Sequence, residues 1–158
     1  MGSPLPAAVL DDLRRFLERG LSLLAVTRDA NMMPAIARCG GARLGDDQLL
    51  RVLVCVPEGV RALENIDANG AIAFSVVLPT TYRTLQIKGS DARRIDWPGH
   101  EAVALAHRPA FQREVAGLGF PPAIAGLLWS KNYVPVGFTP LEVFDQTPGP
   151  HAGLALIV

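Results

Sequence analysis

Apolar residues follow two different periods along the chain. Between residues 5 and 19 they recur at helical spacing, with Pro4 and Pro6 near the start of the segment and Gly20 just after its end. This pattern predicts an amphipathic N-terminal helix over 5–19. From residue 21 onwards, short apolar runs are bounded by turn-forming residues, which is typical of strands.

Six segments have the length and apolar character of strands, and one helix interrupts them. The helix is predicted over 57–70, because its apolar residues share a face and Asn69–Gly70 provides a stop signal. Gly40–Gly41 indicates a bulge or a close backbone approach within the second strand. The short connections exclude repeated βαβ units and favour a small antiparallel barrel. The predicted strands cover residues 21–27, 34–44, 49–56, 71–78, 82–95 and 133–144.

The rest of the chain is predicted to be helical and then turn-rich. Helical spacing runs from about 98 to 130, with breaks expected at Arg108–Pro109, at Gly117–Gly119 and at 120–122. The tail ends in apolar residues and is expected to pack on the body or on a partner subunit. We therefore predict one domain, comprising a helix (5–19), a barrel (about 21–96 and 133–144), a helical insertion (about 98–130) and a tail (145–158).

Composition and charge limit the classes of function. The 158 residues include 15 basic and 15 acidic side chains, and no stretch concentrates Lys or Arg. A role that depends on general attraction to nucleic acid or to a membrane surface is therefore not expected. We find no apolar run of about 18 residues and no signal-peptide pattern, so a soluble cytoplasmic protein is predicted. Cys55 lies in an apolar run and is predicted to be a buried free thiol.

No established catalytic motif is present. The chain lacks a P-loop, a GxGxxG after a strand, a GxSxG elbow and an HExxH sequence. His100 and His107 lie seven residues apart on one predicted helix face without a third ligand, and we expect both to be exposed. A metal or haem site at these histidines is the alternative.

A polar cluster directly follows the most apolar strand. In the sequence PTTYRTLQIKG, strand alternation places Tyr82, Thr84, Gln86 and Lys88 on one face. Such a face suits a planar anionic ligand, since Lys supplies charge, hydroxyls and amides supply directed hydrogen bonds, and Tyr offers a stacking surface. The same residue types are ordinary on a solvated sheet face, so both interpretations stay open.

Two arginines extend the set of candidate ligands. Arg61 lies in the first turns of the predicted helix after Pro57, and Arg38 lies within a predicted strand among small and apolar residues. Arginine suits phosphate because its planar fork makes charged bidentate contacts. A surface helix residue and a satisfied core ion are the alternatives for Arg61 and Arg38, respectively.

The order of these features resembles the pyridoxamine 5'-phosphate oxidase-like family of FMN-binding split-barrel proteins. The similarity runs from about Leu21 to the tail, through LAVTRDANMMPAIAR, then VRALENI, then NGAIAFSVVLPTTYRTLQIKG. The tail sequence FDQTPGPHAG looks like that of an uncharacterised branch of the family.

The resemblance implies a mainly β fold with flanking helices, in which a six-stranded antiparallel split barrel pairs as a homodimer and FMN lies in the groove between subunits. It implies that Arg61 and Lys88 neutralise the phosphate, and that Thr80, Thr81 and Thr84 hydrogen-bond the phosphate or the ribityl chain. Tyr82 and Gln86 would border the ring. Together with Arg83 and Arg38, these residues make up the candidate cofactor site.

The sequence also departs from the true pyridoxamine phosphate oxidases. Those enzymes have a sequence similar to Arg-Gln-Val-Arg along the strand that borders the flavin, whereas this chain has Arg83–Thr84 at the matching positions. Val60 stands where they have the first of two basic residues, and their C-terminal Trp and Arg substrate elements find no match. The resemblance therefore implies a flavoprotein and candidate oxidoreductase of another substrate, with deazaflavin or haem as alternative cofactors and a non-catalytic dimeric module as the alternative function.

Overall fold

One helix leads into an antiparallel sheet that continues through most of the chain. The computed structural model describes residues 5–127, 130 and 132–156. Helix α1 (Ala7–Leu17) buries Leu10, Leu13, Phe16 and Leu17, the stripe expected of an amphipathic helix. The strands that follow are β1 (Ser22–Arg28), β2 (Pro34–Leu44), β3 (Leu50–Val56), β4 (Ile72–Val77), β5 (Thr84–Gly89), β6 (Arg93–Arg94), β7 (Asn132–Phe138), β8 (Glu142–Asp145) and β9 (Leu154–Ala155).

The strands are joined in the linear order β6-β7-β3-β2-β1-β4-β5-β8-β9, and each neighbouring pair is antiparallel. Three further helices flank the sheet, namely α2 (Val60–Asn69), α3 (His100–Gly117) and α4 (Pro122–Leu127). Helix α2 ends at Gly70, whose φ of 68° is readily adopted by glycine. The predicted mainly β class with flanking helices is confirmed.

Within the described residues the sheet has nine strands, whereas six were predicted. The predicted strand 82–95 divides into β5 and β6, because Tyr82 and Arg83 belong to the preceding turn and the pairing with β4 ends at Gly89. The predicted strand 133–144 divides into β7 and β8 at Pro140, which lacks a backbone donor. The tail contributes β9 and packs Leu156 against the core, so it docks on the body.

Strand β2 carries the irregularity that its two glycines indicate. The register with β3 shifts between Cys39 and Ala42, which is a bulge. A side chain at Gly40 would overlap the ring of Tyr133, and one at Gly41 would approach Val103 of α3. The bulge therefore lets α3 and the side chain of Tyr133 lie close to the β2 backbone.

The main core is almost wholly aliphatic and aromatic, and β3 is buried on both faces from Val52 to Cys55. Phe74 and Phe138 meet edge to face with ring centroids 6.4 Å apart. Helix α3 continues through Pro109, so the break predicted there is absent. The missing N–H of Pro109 would have bonded the carbonyl of Leu105, a residue that is 73% exposed and can be hydrated. No helix among the described residues is long and apolar enough to cross a membrane.

Candidate functional site

Strand alternation creates a second surface on the side of the sheet that faces away from the core. We call this surface the outer face. Burial alternates along β1, β4 and β5, so that residues such as Leu85 and Ile87 enter the core while their neighbours turn outward. The outer face consists of Ser22, Leu24, Val26, Ile36, Arg38, Ala73, Ser75, Val77, Thr84, Gln86, Lys88, Glu142 and Phe144.

The centre of the outer face is apolar. Leu24 and Val26 lie on the central strand β1, and Ile36 beside them on β2 is 63% exposed. Val77 and Ala73 continue the apolar surface onto β4. An antiparallel sheet with a solvated face normally presents alternating polar residues there. The sequence did not identify this feature, because the apolar run over 21–27 was interpreted as a strand without an assignment of its two faces.

Strand registers place the polar candidates in two rows across this surface. One row runs from Arg38 through Leu24 and Ser75 to Gln86 and Phe144. The next row runs from Ile36 through Val26 and Ala73 to Lys88 and Glu142. Gln86, Lys88 and Arg38 therefore share one face, as alternation predicted for the first two.

Two of these residues are cations that lack a carboxylate partner. Among the described residues, neither Lys88 nor Arg38 forms an ion pair. The Lys88 ammonium instead lies 4.7 Å from the ring centroid of Phe144, a cation–π contact across the strand pair. The alternative interpretation of Arg38 as a satisfied core ion is wrong, since its side chain is exposed on the outer face.

The turn between β4 and β5 contains four of the candidate residues. Tyr82 has a φ of 59° and is 62% exposed, although a bulky residue rarely adopts the left-handed region. The amides of Thr81 and Tyr82 both donate to the carbonyl of Leu78, which closes the turn. Tyr82 and Arg83 precede β5, so their side chains do not follow the strand alternation expected for 82–95.

Two residues of this turn are held by helices. The Thr80 hydroxyl donates to the Glu114 carboxylate of α3 at 2.6 Å. The Arg83 guanidinium bonds Asp12 of α1 at 2.6 Å and lies 4.3 Å from the ring centroid of Phe16. Both contacts connect the turn to helices, so these side chains are engaged within the protomer itself.

The remaining hydroxyl of the strand is also paired locally. Thr84 donates from its hydroxyl to the Tyr82 carbonyl at 2.8 Å, and its amide donates to the Thr147 hydroxyl at 3.0 Å. These bonds join the end of the turn to the tail. Of the polar candidates on β5, Gln86 and Lys88 have the side chains most open to a ligand.

Arg61 and the β4–β5 turn lie at opposite ends of the strands. Arg61 is 3.9 Å from Asp29, which directly follows the last residue of β1. The turn follows Val77, which pairs with Ser22 at the start of β1. The length of β1 separates these ends by about 20 Å. A single protomer therefore does not gather Arg61 and Thr80 around one phosphate.

The histidine prediction is wrong for His107. This side chain is only 8% exposed, its ring stacks on Phe111, and burial lowers its pKa to about 4 despite a hydrogen bond with the Leu21 backbone. Alpha-helical spacing located the shared face of His100 and His107 but did not reveal that α3 packs that region onto β2. The described residues contain no group of three His, Cys, Asp or Glu side chains arranged to hold a metal.

Both cysteines are buried free thiols, as predicted for Cys55. Burial is the main cause that raises the pKa of the Cys55 thiol to about 11, and it also raises the pKa of Cys39. The thiolate is the reactive form of cysteine, so neither residue is suited to act as a nucleophile.

Comparison with known proteins gives matches in structure alone. No protein-family model and no curated protein sequence matches the chain. HupZ of Group A Streptococcus superposes with a TM-score of 0.56 at 17% identity, covering 90% of this chain and 98% of its own. A Clostridium acetobutylicum protein related to general stress protein 26 of B. subtilis, of the pyridoxinephosphate oxidase family, has a TM-score of 0.53 at 13% identity, covering 98% and 97%.

A third structure is a pyridoxamine 5'-phosphate oxidase-related, FMN binding protein from Nostoc punctiforme, with a TM-score of 0.48 at 16% identity, covering 89% of this chain and 85% of its own. At these identities the matches describe the fold. The resemblance that the sequence indicated is thus confirmed at that level: the chain has the fold of the pyridoxamine 5'-phosphate oxidase-like proteins.

Proposed function

We propose that the protein is a homodimeric FMN-binding flavoprotein in which a second copy covers the outer face and the cofactor lies along its edge. The observation that carries this proposal is the apolar centre of the outer face, formed around Leu24, Val26 and Ile36. Exposed apolar surface bordered by polar residues is typical of an interaction site. We further propose that the strands close into a split barrel and that the protein is cytoplasmic.

The donor set of the outer face fits a phosphate-bearing cofactor. Lys88 and Arg38 supply positive charge that no carboxylate neutralises within the described part of the chain. Gln86 and Ser75 supply directed neutral hydrogen bonds on the same row as Arg38. Cations bind phosphate through charge-assisted contacts, and neutral donors fix the orientation of a polar ligand.

The two ends of the strands suggest different parts of the cofactor. Lys88 and Arg61 lie towards the same end, and we assign them to the phosphate. Tyr82 and Gln86 are assigned to the ring. Thr81 and Thr84 lie near Tyr82, so we assign them to the ring end and the adjoining ribityl chain instead of the phosphate.

We assign Thr80 and Arg83 to supporting the turn. Their side chains bond residues of α3 and α1, respectively, and so hold the turn in place. When bound, the flavin ring accepts or donates hydride or electrons, and the protein contributes binding and electrostatics. We assign no residue as a catalytic acid, base or nucleophile. The differences from the true pyridoxamine phosphate oxidases around Thr84 argue against the oxidation of vitamin B6 as its reaction.

The visible spectrum and the solution mass of the purified protein test this proposal together. We expect flavin bands near ~370 and ~450 nm, which are properties of the ring, and a mass by light scattering of twice the chain. Haem would instead give a Soret band. A colourless monomer that does not take up added FMN would overturn the proposal.

A further inference from the structure

A cavity lies between α1, α3 and the end of β2, away from the outer face. Its volume is about 500 Å³, within the range of small-molecule sites. It opens beside β2 residues 42–44, beyond the bulge, whereas the outer face takes Ile36 and Arg38 from the same strand. None of the nine candidate cofactor residues lines it. We call it the α1–α3 cavity.

Both apolar and polar side chains line the α1–α3 cavity. Leu17 of α1, Leu44 of β2 and Val103 of α3 contribute aliphatic surface, and Ala106 keeps the α3 side open. The buried ring of His107 also lines the cavity and adds aromatic surface. An apolar group that lies against these side chains is removed from water, which favours its binding.

The charged groups at the cavity differ in how far they are already neutralised. Arg14 bonds Asp11 at 2.8 Å, so its charge is matched. Arg43 lines the cavity with no ion pair or hydrogen bond among the described residues, and its cross-strand neighbour is another cation, Arg51. Arg51 is already neutralised by Asp47. Among the described residues of the wall, Arg43 is thus the cation that a ligand anion can pair directly.

The carboxylate of Glu18 restricts the charge that the ligand can carry. Glu18 lines the same cavity and forms no ion pair among the residues that the structure describes. Any anion meets the like charge of Glu18 in this cavity, and the repulsion is larger for a phosphate dianion than for a monocarboxylate, which can form a bidentate pair with Arg43.

We propose that the α1–α3 cavity binds a small monocarboxylate with an apolar body, held by Arg43 and by the aliphatic walls of α1 and α3. Its carboxylate pairs with the Arg43 guanidinium, and its apolar part lies against Leu17 and Val103. This site is separate from the proposed flavin site, so its occupancy does not require flavin.

Titration of the purified protein with 4-phenylbutyrate, followed by NMR or calorimetry, tests the proposal. We expect saturable binding, and we expect the neutral analogue 4-phenylbutan-1-ol to bind at least about tenfold more weakly because it lacks the charge-assisted contact. Arg43→Gln is expected to weaken binding of 4-phenylbutyrate about tenfold, and Arg113→Gln, on the exposed surface of α3, is the matched control.

Ala106→Phe supplies an independent test, because a larger side chain at this exposed helix position occupies the cavity without disturbing the core. We expect it to abolish binding while the circular dichroism spectrum and melting temperature stay close to those of the parent. Equal binding of acid and alcohol, unchanged binding in Arg43→Gln, or displacement by inorganic phosphate would overturn the proposal. Added FMN should not compete, which keeps this test distinct from that of the flavin site.

Discussion

Lys88 is the candidate whose local surroundings most favour a bound anion. Its ammonium makes a cation–π contact with Phe144 and has Glu142 as its cross-strand neighbour without forming an ion pair. Arg61 is 66% exposed and reaches Asp29 only at 3.9 Å, so it is also open to a ligand. Surface contacts of this kind contribute little to stability, and removing either cation should leave the fold intact.

We expect Lys88→Ala and Arg61→Ala each to weaken FMN binding by about 1.5–3 kcal/mol, the usual range for a hydrogen bond to a charged group. Fluorescence titration of flavin measures the affinity, and light scattering checks that the dimer persists. Arg15→Ala, an exposed cation on α1, is the control. If both variants bind FMN as tightly as the parent, these residues do not form the phosphate site.

The β4–β5 turn depends on two helices that are remote in sequence. Helix α3 holds it through the bond from Thr80 to Glu114, whose carboxylate also lies 3.5 Å from Arg19. Helix α1 holds it through Arg83 and Asp12. These contacts stabilise a turn in which Tyr82 has an unfavourable backbone conformation. Precise placement of Tyr82 is thus a property of the packed helices.

Glu114→Gln is expected to loosen the turn, because a charge-assisted hydrogen bond becomes a neutral one. Hydrogen exchange of the Thr81 and Tyr82 amides should accelerate about tenfold, since these amides are protected by the Leu78 carbonyl within the same turn. Glu101→Gln on the same helix is the control, because Glu101 is exposed and does not contact the turn. Unchanged exchange in Glu114→Gln would show that α3 does not hold the turn.

The stability of the whole molecule depends on keeping His107 neutral. Burial lowers its pKa from the ordinary 6.5 to about 4. His107 lines the α1–α3 cavity together with Arg14, Glu18 and Arg43, and it lines a smaller cavity together with Arg38. Well above pH 6.5 the imidazole is neutral in both states, and the contribution of His107 to stability is fully present. As the pH falls from 6.5 to 4 the unfolded chain takes up a proton that the folded chain does not, so stability is lost.

Between pH 7.5 and 5 we expect the free energy of unfolding to fall by about 2 kcal/mol through this residue. Carboxylates with lowered pKa values, such as Asp47 at about 2, titrate mostly below this window. Urea denaturation at each pH measures the effect. His107→Leu should flatten the profile, whereas His151→Gln in the exposed tail should retain it. A profile that His107→Leu leaves unchanged would assign the pH dependence to other groups.

Local patterns predicted much of the secondary structure. Strand β2 was predicted over 34–44 and forms over Pro34–Leu44. Alternation correctly placed Gln86 and Lys88 on the face opposite Leu85 and Ile87, which the structure buries. These features depend on the spacing of residues a few positions apart, so they can be read along the chain. The fold resemblance followed from the order of such elements.

Contacts between distant segments could not be predicted in this way. Arg83 bonds Asp12 across 71 positions and Thr80 bonds Glu114 across 34, so two predicted ligands are engaged by helices. The burial of His107, the apolar outer face and the α1–α3 cavity likewise arise where separate elements pack together. The sequence thus determined the elements and the chemistry that they carry. Tertiary packing determined which side chains meet, because a contact between remote residues leaves no periodic signal along the chain.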